Sequence, residues 1–115
     1  MVIKAENLPR REASEVQKGN GTVQFADLAI KAEMYDNARL FSVVTLKPGC
    51  SIGYHIHEQE TEYYYILSGE AVVNDNGTEV TMLPGDLMST GNGAGHSIEN
   101  RSDKDMAFLA LIVLA

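Results

Sequence analysis

Residues 49–69 read GCSIGYHIHEQETEYYYILSG and contain two β-type segments joined by a short polar link. Residues i and i+2 of a strand face the same side of its sheet. Both imidazoles of His55 and His57 therefore enter one space, while Ile56 points the other way. Glu62 opens the second segment, and a hairpin-like return of the chain would bring its carboxylate beside the histidine pair.

Short β-type runs with Gly, Pro, Asn and Asp between them continue on both sides of this stretch. Runs spaced at about 8–12 residues with such turn signals predict an all-β sandwich or barrel. Asn74–Gly77 is interpreted as a hairpin turn, and Asp36-Asn37 as another that pairs Leu28–Tyr35 with Arg39–Leu46. Arg10–Lys18 is either a short helix or an extended arm. The runs are Phe41–Leu46, Tyr63–Leu67, Ala71–Val73, Glu79–Leu83, Asp86–Thr90, His96–Glu99 and Met106–Val113.

The third and last histidine of the chain, His96, follows a glycine-rich loop and begins a β-type run. Three imidazoles and the Glu62 carboxylate suit a first-row divalent cation such as Mn, Fe, Co, Ni, Cu or Zn. The pattern therefore indicates a metal site with three histidines and one glutamate. The alternative interpretation is a solvated strand edge at His55 and His57, with His96 as a surface turn residue.

Two spaced patterns make the chain resemble the cupin family. The family's first pattern, G-x5-H-x-H-x4-E-x6-G, is matched at Gly49, His55, His57, Glu62 and Gly69. The second, G-x5-P-x-G-x2-H-x3-N, is matched at Gly85, Gly93, His96 and Asn100, with Gly91 in place of the proline.

This resemblance implies a jelly-roll β-barrel that holds its metal inside one end. It also implies that His55, His57, Glu62 and His96 are the ligands of one divalent cation. Glu60 is the rival carboxylate, but only Glu62 has the four-residue gap after His57. We therefore expect Glu58 and Glu60 to be solvated loop charges.

Strand alternation extends the prediction to the tyrosines that follow Glu62. If Glu62 faces inward, Tyr64 and Ile66 do too, while Tyr63 and Tyr65 face outward. Tyr64 is thus a candidate catalytic residue, as a substrate contact or proton donor, with a core aromatic as the alternative. The outward tyrosines would form an exposed aromatic surface, and small cupins commonly dimerise, so we expect a homodimer.

Length and composition set the remaining expectations. A chain of 115 residues predicts a single domain, with residues 1–22 as a short N-terminal arm and 41–113 as the core barrel. The formal net charge of −7 argues against nucleic acid and anionic membranes as partners. A single cysteine and no signal-like or membrane-spanning apolar run lead us to expect a cytoplasmic protein.

We expect a metal-dependent enzyme acting on a small oxygen-rich molecule, such as a carboxylate, hydroxy acid or sugar acid. The activities that the resemblance implies are those of dioxygenases, decarboxylases and isomerases or lyases. Imidazole and carboxylate donors without a thiolate permit octahedral coordination, and the resemblance favours it, so we expect Mn, Fe or Ni rather than Zn. The alternative is a non-catalytic module that binds or senses a small ligand.

Overall fold

The computed structural model describes all 115 residues, and almost all regular structure in it is β-sheet. Short 3-10 turns at Ala5–Asn7, Val16–Lys18 and Lys31–Met34 are its helical elements, and none is long or apolar enough to cross a membrane. The strands are β1 Arg10–Ser14, β2 Thr22–Ala29, β3 Ala38–Leu46, β4 Ser51–Ile56, β5 Glu60–Ser68, β6 Ala71–Asp75, β7 Thr78–Met82, β8 Leu87–Gly91, β9 Gly95–Glu99 and β10 Met106–Leu114.

Two antiparallel sheets form the jelly-roll β-barrel, which confirms the predicted all-β fold. One has six strands in the order β1-β2-β3-β10-β5-β8, and the other has four in the order β4-β9-β6-β7. Alternate side chains of each strand enter the core between the sheets, as the burial of Val44, Ile66, Val73, Ile98 and Phe108 shows. Each such side chain contributes about 1.5–3 kcal/mol by leaving water.

The register of the strands positions the predicted site. β4 pairs antiparallel with β9, and this pairing sets His55 directly opposite His96. Glu62 lies on β5 in the facing sheet, with Thr90 of β8 and Ile112 of β10 as its neighbours in register. The histidines and the glutamate therefore meet from opposite sheets.

The segment predicted as an N-terminal arm is built onto the barrel. β1 pairs with β2 from Arg10 opposite Ala26 to Ser14 opposite Thr22, so it forms one edge of the six-stranded sheet. The 3-10 turn that follows packs on β4, and its Val16 lies against the core.

The hairpin predicted at Asp36-Asn37 is wrong in its first strand. β2 ends at Ala29, and the chain reverses through the 3-10 turn Lys31–Met34 before β3 begins. The Glu33 carboxylate accepts the backbone N–H of Ile30 at 3.0 Å, which closes a local helical turn. This capping interaction competes with continuation of the predicted strand Leu28–Tyr35 along β3.

Candidate metal centre

The structure brings together the four side chains that the sequence predicted as ligands. The ligand atoms of His55, His57, Glu62 and His96 all lie within 4.8 Å of one another, so the group could hold one metal ion. His57 follows the last residue of β4, and its backbone is fixed by the glycine-rich loop. Its N–H donates to the Ala94 carbonyl oxygen at 3.1 Å, and its own carbonyl accepts the Gly93 N–H at 2.9 Å.

The Nε2 atoms of the three histidines converge on one carboxylate oxygen. Glu62 Oε1 lies 2.9 Å from His96 Nε2, 3.0 Å from His57 Nε2 and 3.8 Å from His55 Nε2. His96 Nε2 is also 3.1 Å from Nε2 of His55 and of His57. Such a cluster of nitrogen lone pairs around one carboxylate has the donor chemistry of a first-row divalent cation site.

Hydrogen bonds at the outer ring nitrogens orient two of the imidazoles. His55 Nδ1 lies 2.7 Å from the Gly53 carbonyl oxygen, and His57 Nδ1 lies 2.5 Å from Glu60 Oε2. Both oxygens accept hydrogen bonds, so each Nδ1 carries a proton. Each ring is thereby turned so that its Nε2 points to the shared centre, where it could ligate a metal.

His96 is held by stacking instead. Its ring lies 4.6 Å from the Tyr64 ring, at an interplanar angle of 14°. Its Nδ1 is buried and has no hydrogen-bond partner, unlike that of the other two rings. Burial lowers the pKa of His96, so this histidine is neutral and able to ligate at neutral pH.

Glu62 supplies the negative charge of the centre. Burial alone would raise the pKa of this carboxyl, but hydrogen bonds from His55, His57 and His96 hold its pKa far below its usual range. The hydrogen bond to Glu62 in turn raises the pKa of His57, and Glu60 adds to this effect. A proton and a cation therefore compete for the same space between His57 and Glu62.

The expectation that Glu60 is a solvated loop charge is wrong. Glu60 begins β5 and accepts two hydrogen bonds from Arg39, from Nε at 2.8 Å and Nη2 at 2.7 Å, besides its contact with His57. The Arg39 hydrogen bonds, followed by that of His57, lower the pKa of Glu60 to about 2. A carboxylate on the outer nitrogen of a ligating histidine is a common feature of metal sites. The position of Glu60, three residues after His57, was the sequence signal for this contact.

A cavity of about 190 Å³ opens onto the centre. This volume lies below the roughly 300–1,000 Å³ of most small-molecule binding pockets. Tyr64 is buried and lines it, and Tyr63 and Tyr65 are exposed at 36% and 42%, as alternation predicted. Three of the candidate ligands, His55, His57 and Glu62, line the cavity together with Arg11, Val16, Gln17, Phe25, Arg39, Leu40, Ile52, Tyr64 and Ile112.

The part of this lining that comes from residues 11–40 was not predicted from the sequence. Arg11 Nε and Nη2 donate to Asp27 at 2.9 and 3.2 Å, and its guanidinium lies 3.9 Å from the centre of the Phe25 ring. Asp27 also accepts a hydrogen bond from the buried Ser42 hydroxyl. The cavity thus has two arginines, Arg11 and Arg39, facing an acidic and imidazole-rich centre.

Comparisons with known proteins agree with the fold. The sequence model of the Cupin domain family matches residues 42–112. An oxalate-binding protein of Thermotoga maritima is 44% identical over 114 residues, which are 99% of this chain and 94% of that protein. A crystal structure of a Thermotoga maritima protein described as a predicted oxalate decarboxylase is 43% identical, with full coverage of both chains and a TM-score of 0.95.

A more distant structure shows the fold alone. The cupin-superfamily sugar phosphate isomerase of Silicibacter pomeroyi is 20% identical, with a TM-score of 0.79, and the match covers 100% of this chain and 76% of that one.

Proposed function

The chain belongs to the cupin family, and on that premise we propose that it holds one divalent cation in order to bind a small dicarboxylate of the oxalate class. The observation that carries the proposal is the convergence of three imidazole Nε2 atoms and one carboxylate within 4.8 Å, at the end of a small cavity. We propose His55, His57, Glu62 and His96 as the ligands.

The donor set favours an open site. Four protein ligands complete a tetrahedral zinc site, but the same four around an octahedral cation leave two adjacent positions for water or ligand. We therefore propose Mn, Fe or Ni as the working metal, with Zn as the alternative. When bound, the cation would act as a Lewis acid toward the carboxylate oxygens of the ligand.

The cavity supports the choice of ligand class. Its volume of about 190 Å³ suits a molecule of few heavy atoms, and the arginines at its wall suit an anion. These local cations and the metal can attract a dianion even though the whole chain is acidic. The similarity to the Thermotoga maritima oxalate-binding protein supports the same class.

Calorimetric titration of oxalate into Mn²⁺-loaded and chelated protein tests the proposal. We expect binding at micromolar to millimolar strength in the loaded protein, and none after chelation. Equal heats in the two samples, or no heat in either, would overturn it.

Catalysis is a second candidate function, favoured by Tyr64. Burial, followed by the charge of Glu62, raises the pKa of Tyr64 well above its usual value, so its hydroxyl stays protonated at neutral pH. Splitting the carbon–carbon bond of oxalate into carbon dioxide and formate consumes one proton, and Tyr64 is a protonated side chain at the cavity wall.

Incubation of loaded protein with oxalate distinguishes an enzyme from a binding module. An enzyme releases carbon dioxide and formate, and Tyr64→Phe should slow this release while leaving the oxalate dissociation constant nearly unchanged. A loaded protein that binds oxalate but releases no product is a binding module.

We also propose that a second copy of the chain covers the outer face around Tyr63 and Tyr65. Light scattering should give twice the mass of 12.6 kDa. Replacing both tyrosines with Ser should shift the mass toward the monomer, and a monomeric wild-type protein would contradict the proposal.

A further inference from the structure

The two walls of the cavity come from different parts of the chain. The candidate ligands lie within residues 42–112, which the family model matches. Six lining residues lie at 11–40, before that match begins. None of these six residues belongs to the candidate metal-ligand group.

Arg11 is a cation of this second wall that is held by contacts within the wall itself. It lies on β1 opposite Phe25 of β2, stacks on that ring, and is fixed by two hydrogen bonds to Asp27. Asp27 occupies Nε and one hydrogen of Nη2, so the remaining N–H groups of the planar guanidinium are free for another acceptor.

Arg11 also lies where the cavity meets the surface. Arg11 and Phe25 line both the cavity of the metal centre and a groove of about 460 Å³ on the outside of β1, β2 and β3. The Arg11 side chain is 48% exposed, against 4% for that of Glu62. A ligand bound at the buried metal centre would therefore share its cavity with the guanidinium-bearing side chain of Arg11.

We infer that Arg11 pairs with the second carboxylate of the ligand and thereby selects dicarboxylates over monocarboxylates. This inference rests on the proposed function and names the residue that determines its specificity. The neighbouring Arg39 has a different role, because its Nε and Nη2 hold Glu60, which contacts His57. Arg39 is a positioning residue for the metal centre.

The test compares two probes on Mn²⁺-loaded full-length protein by calorimetry. Oxalate has two carboxylates, whereas glycolate offers a carboxylate and a hydroxyl and so lacks the second charge. In Arg11→Gln we expect oxalate affinity to fall by about tenfold or more, because one charge-assisted hydrogen bond is lost. The affinities for glycolate and for Mn²⁺ should change little. Arg39→Gln should instead weaken Mn²⁺ binding.

Two controls separate a local contact from a change of overall charge. Arg10→Gln removes the same charge from a residue that lines the outer groove but not the cavity, and it should keep the wild-type ratio of oxalate to glycolate affinity. The double variant Arg11→Gln with Asp27→Asn removes both members of the ion pair and leaves the net charge unchanged. It should show the same lowered ratio of oxalate to glycolate affinity as Arg11→Gln. If Arg11→Gln fails to fold because Asp27 is left unpaired, the double variant provides the same comparison.

Three results would overturn the assignment of Arg11. They are a wild-type ratio in Arg11→Gln, an equal fall of the ratio in Arg10→Gln, and recovery of the ratio in the double variant. A loaded wild-type protein that binds no oxalate would overturn the proposed function together with this assignment, so the two failures are distinguishable.

Discussion

The wall that carries the metal group and the wall that faces it differ in how their side chains are held. His57, His96 and Glu62 are buried, and each contacts the other two. Arg11 and Arg39 are about half exposed, and each is paired with one carboxylate. A rigid, dry wall suits coordination of a cation, whereas a hydrated wall of long side chains suits selection among ligands.

Loss of a proposed ligand should have the largest effect. His57→Ala removes one of four donors, and we expect it to weaken divalent metal binding by several orders of magnitude. Ile56→Ala is the matched control, because Ile56 is the preceding residue and its side chain is exposed. Metal titration with a competing chelator measures both. Full metal occupancy of His57→Ala after dialysis would count against the ligand assignment.

Loss of the carboxylate behind that ligand should have a smaller effect of the same kind. Glu60→Gln weakens the hydrogen bond that orients His57, and such changes cost about 10–100-fold in metal affinity. Glu58→Gln removes an equal charge from an exposed residue and should leave the affinity unchanged. The same competition assay applies, and equal affinities in the two variants would show that Glu60 does not support the centre.

The facing wall can be displaced by a substitution outside the four proposed ligands, at Gly53, whose carbonyl oxygen lies 2.7 Å from His55 Nδ1. A Cβ at Gly53 would overlap the carbonyl oxygen of Gln17, and the 3-10 turn that bears Val16 and Gln17 would have to move. We expect Gly53→Ala to lower the free energy of unfolding by about 1–3 kcal/mol and to weaken oxalate binding. Chemical denaturation measures the first effect, with exposed Glu70→Ala as control. An unchanged unfolding midpoint would mean that the turn does not pack tightly on β4.

Acidification should destabilise the metal wall of the chelated protein. The pKa of Glu60 is about 2 in the folded chain, against an ordinary value of 4.5. Its ion pair therefore stabilises the fold fully above about pH 4.5 and loses that effect as the pH falls toward about 2. Thermal melting between pH 6 and pH 3 should show a shallower decline in Glu60→Gln than in the wild type. Identical declines would contradict the lowered pKa.

The sequence predicted the metal wall well, because its signal is local. His55 and His57 share a face through the two-residue period of a strand, and Tyr64 follows from Glu62 by the same rule. The position of His96 depends on the register of β4 with β9, which spacing alone cannot give, and only the family pattern linked it to the pair.

The facing wall was not predictable in the same way. The strand β1 reads RREAS, without an alternation of apolar residues, and Arg11 reaches the cavity only because β1 pairs with β2. Glu60 was misjudged because its partner Arg39 is distant in sequence. The hairpin at Asp36-Asn37 was misplaced because the Glu33 cap closes a helical turn before it.

Diffraction from crystals of Mn²⁺-loaded protein grown with oxalate tests the account most directly, because the anomalous signal of manganese locates the ion. The account predicts one ion bound by Nε2 of His55, His57 and His96 and by the Glu62 carboxylate. Oxalate should occupy the remaining positions and contact Arg11. An ion bound elsewhere, or a four-coordinate ion with no place for oxalate, would contradict it.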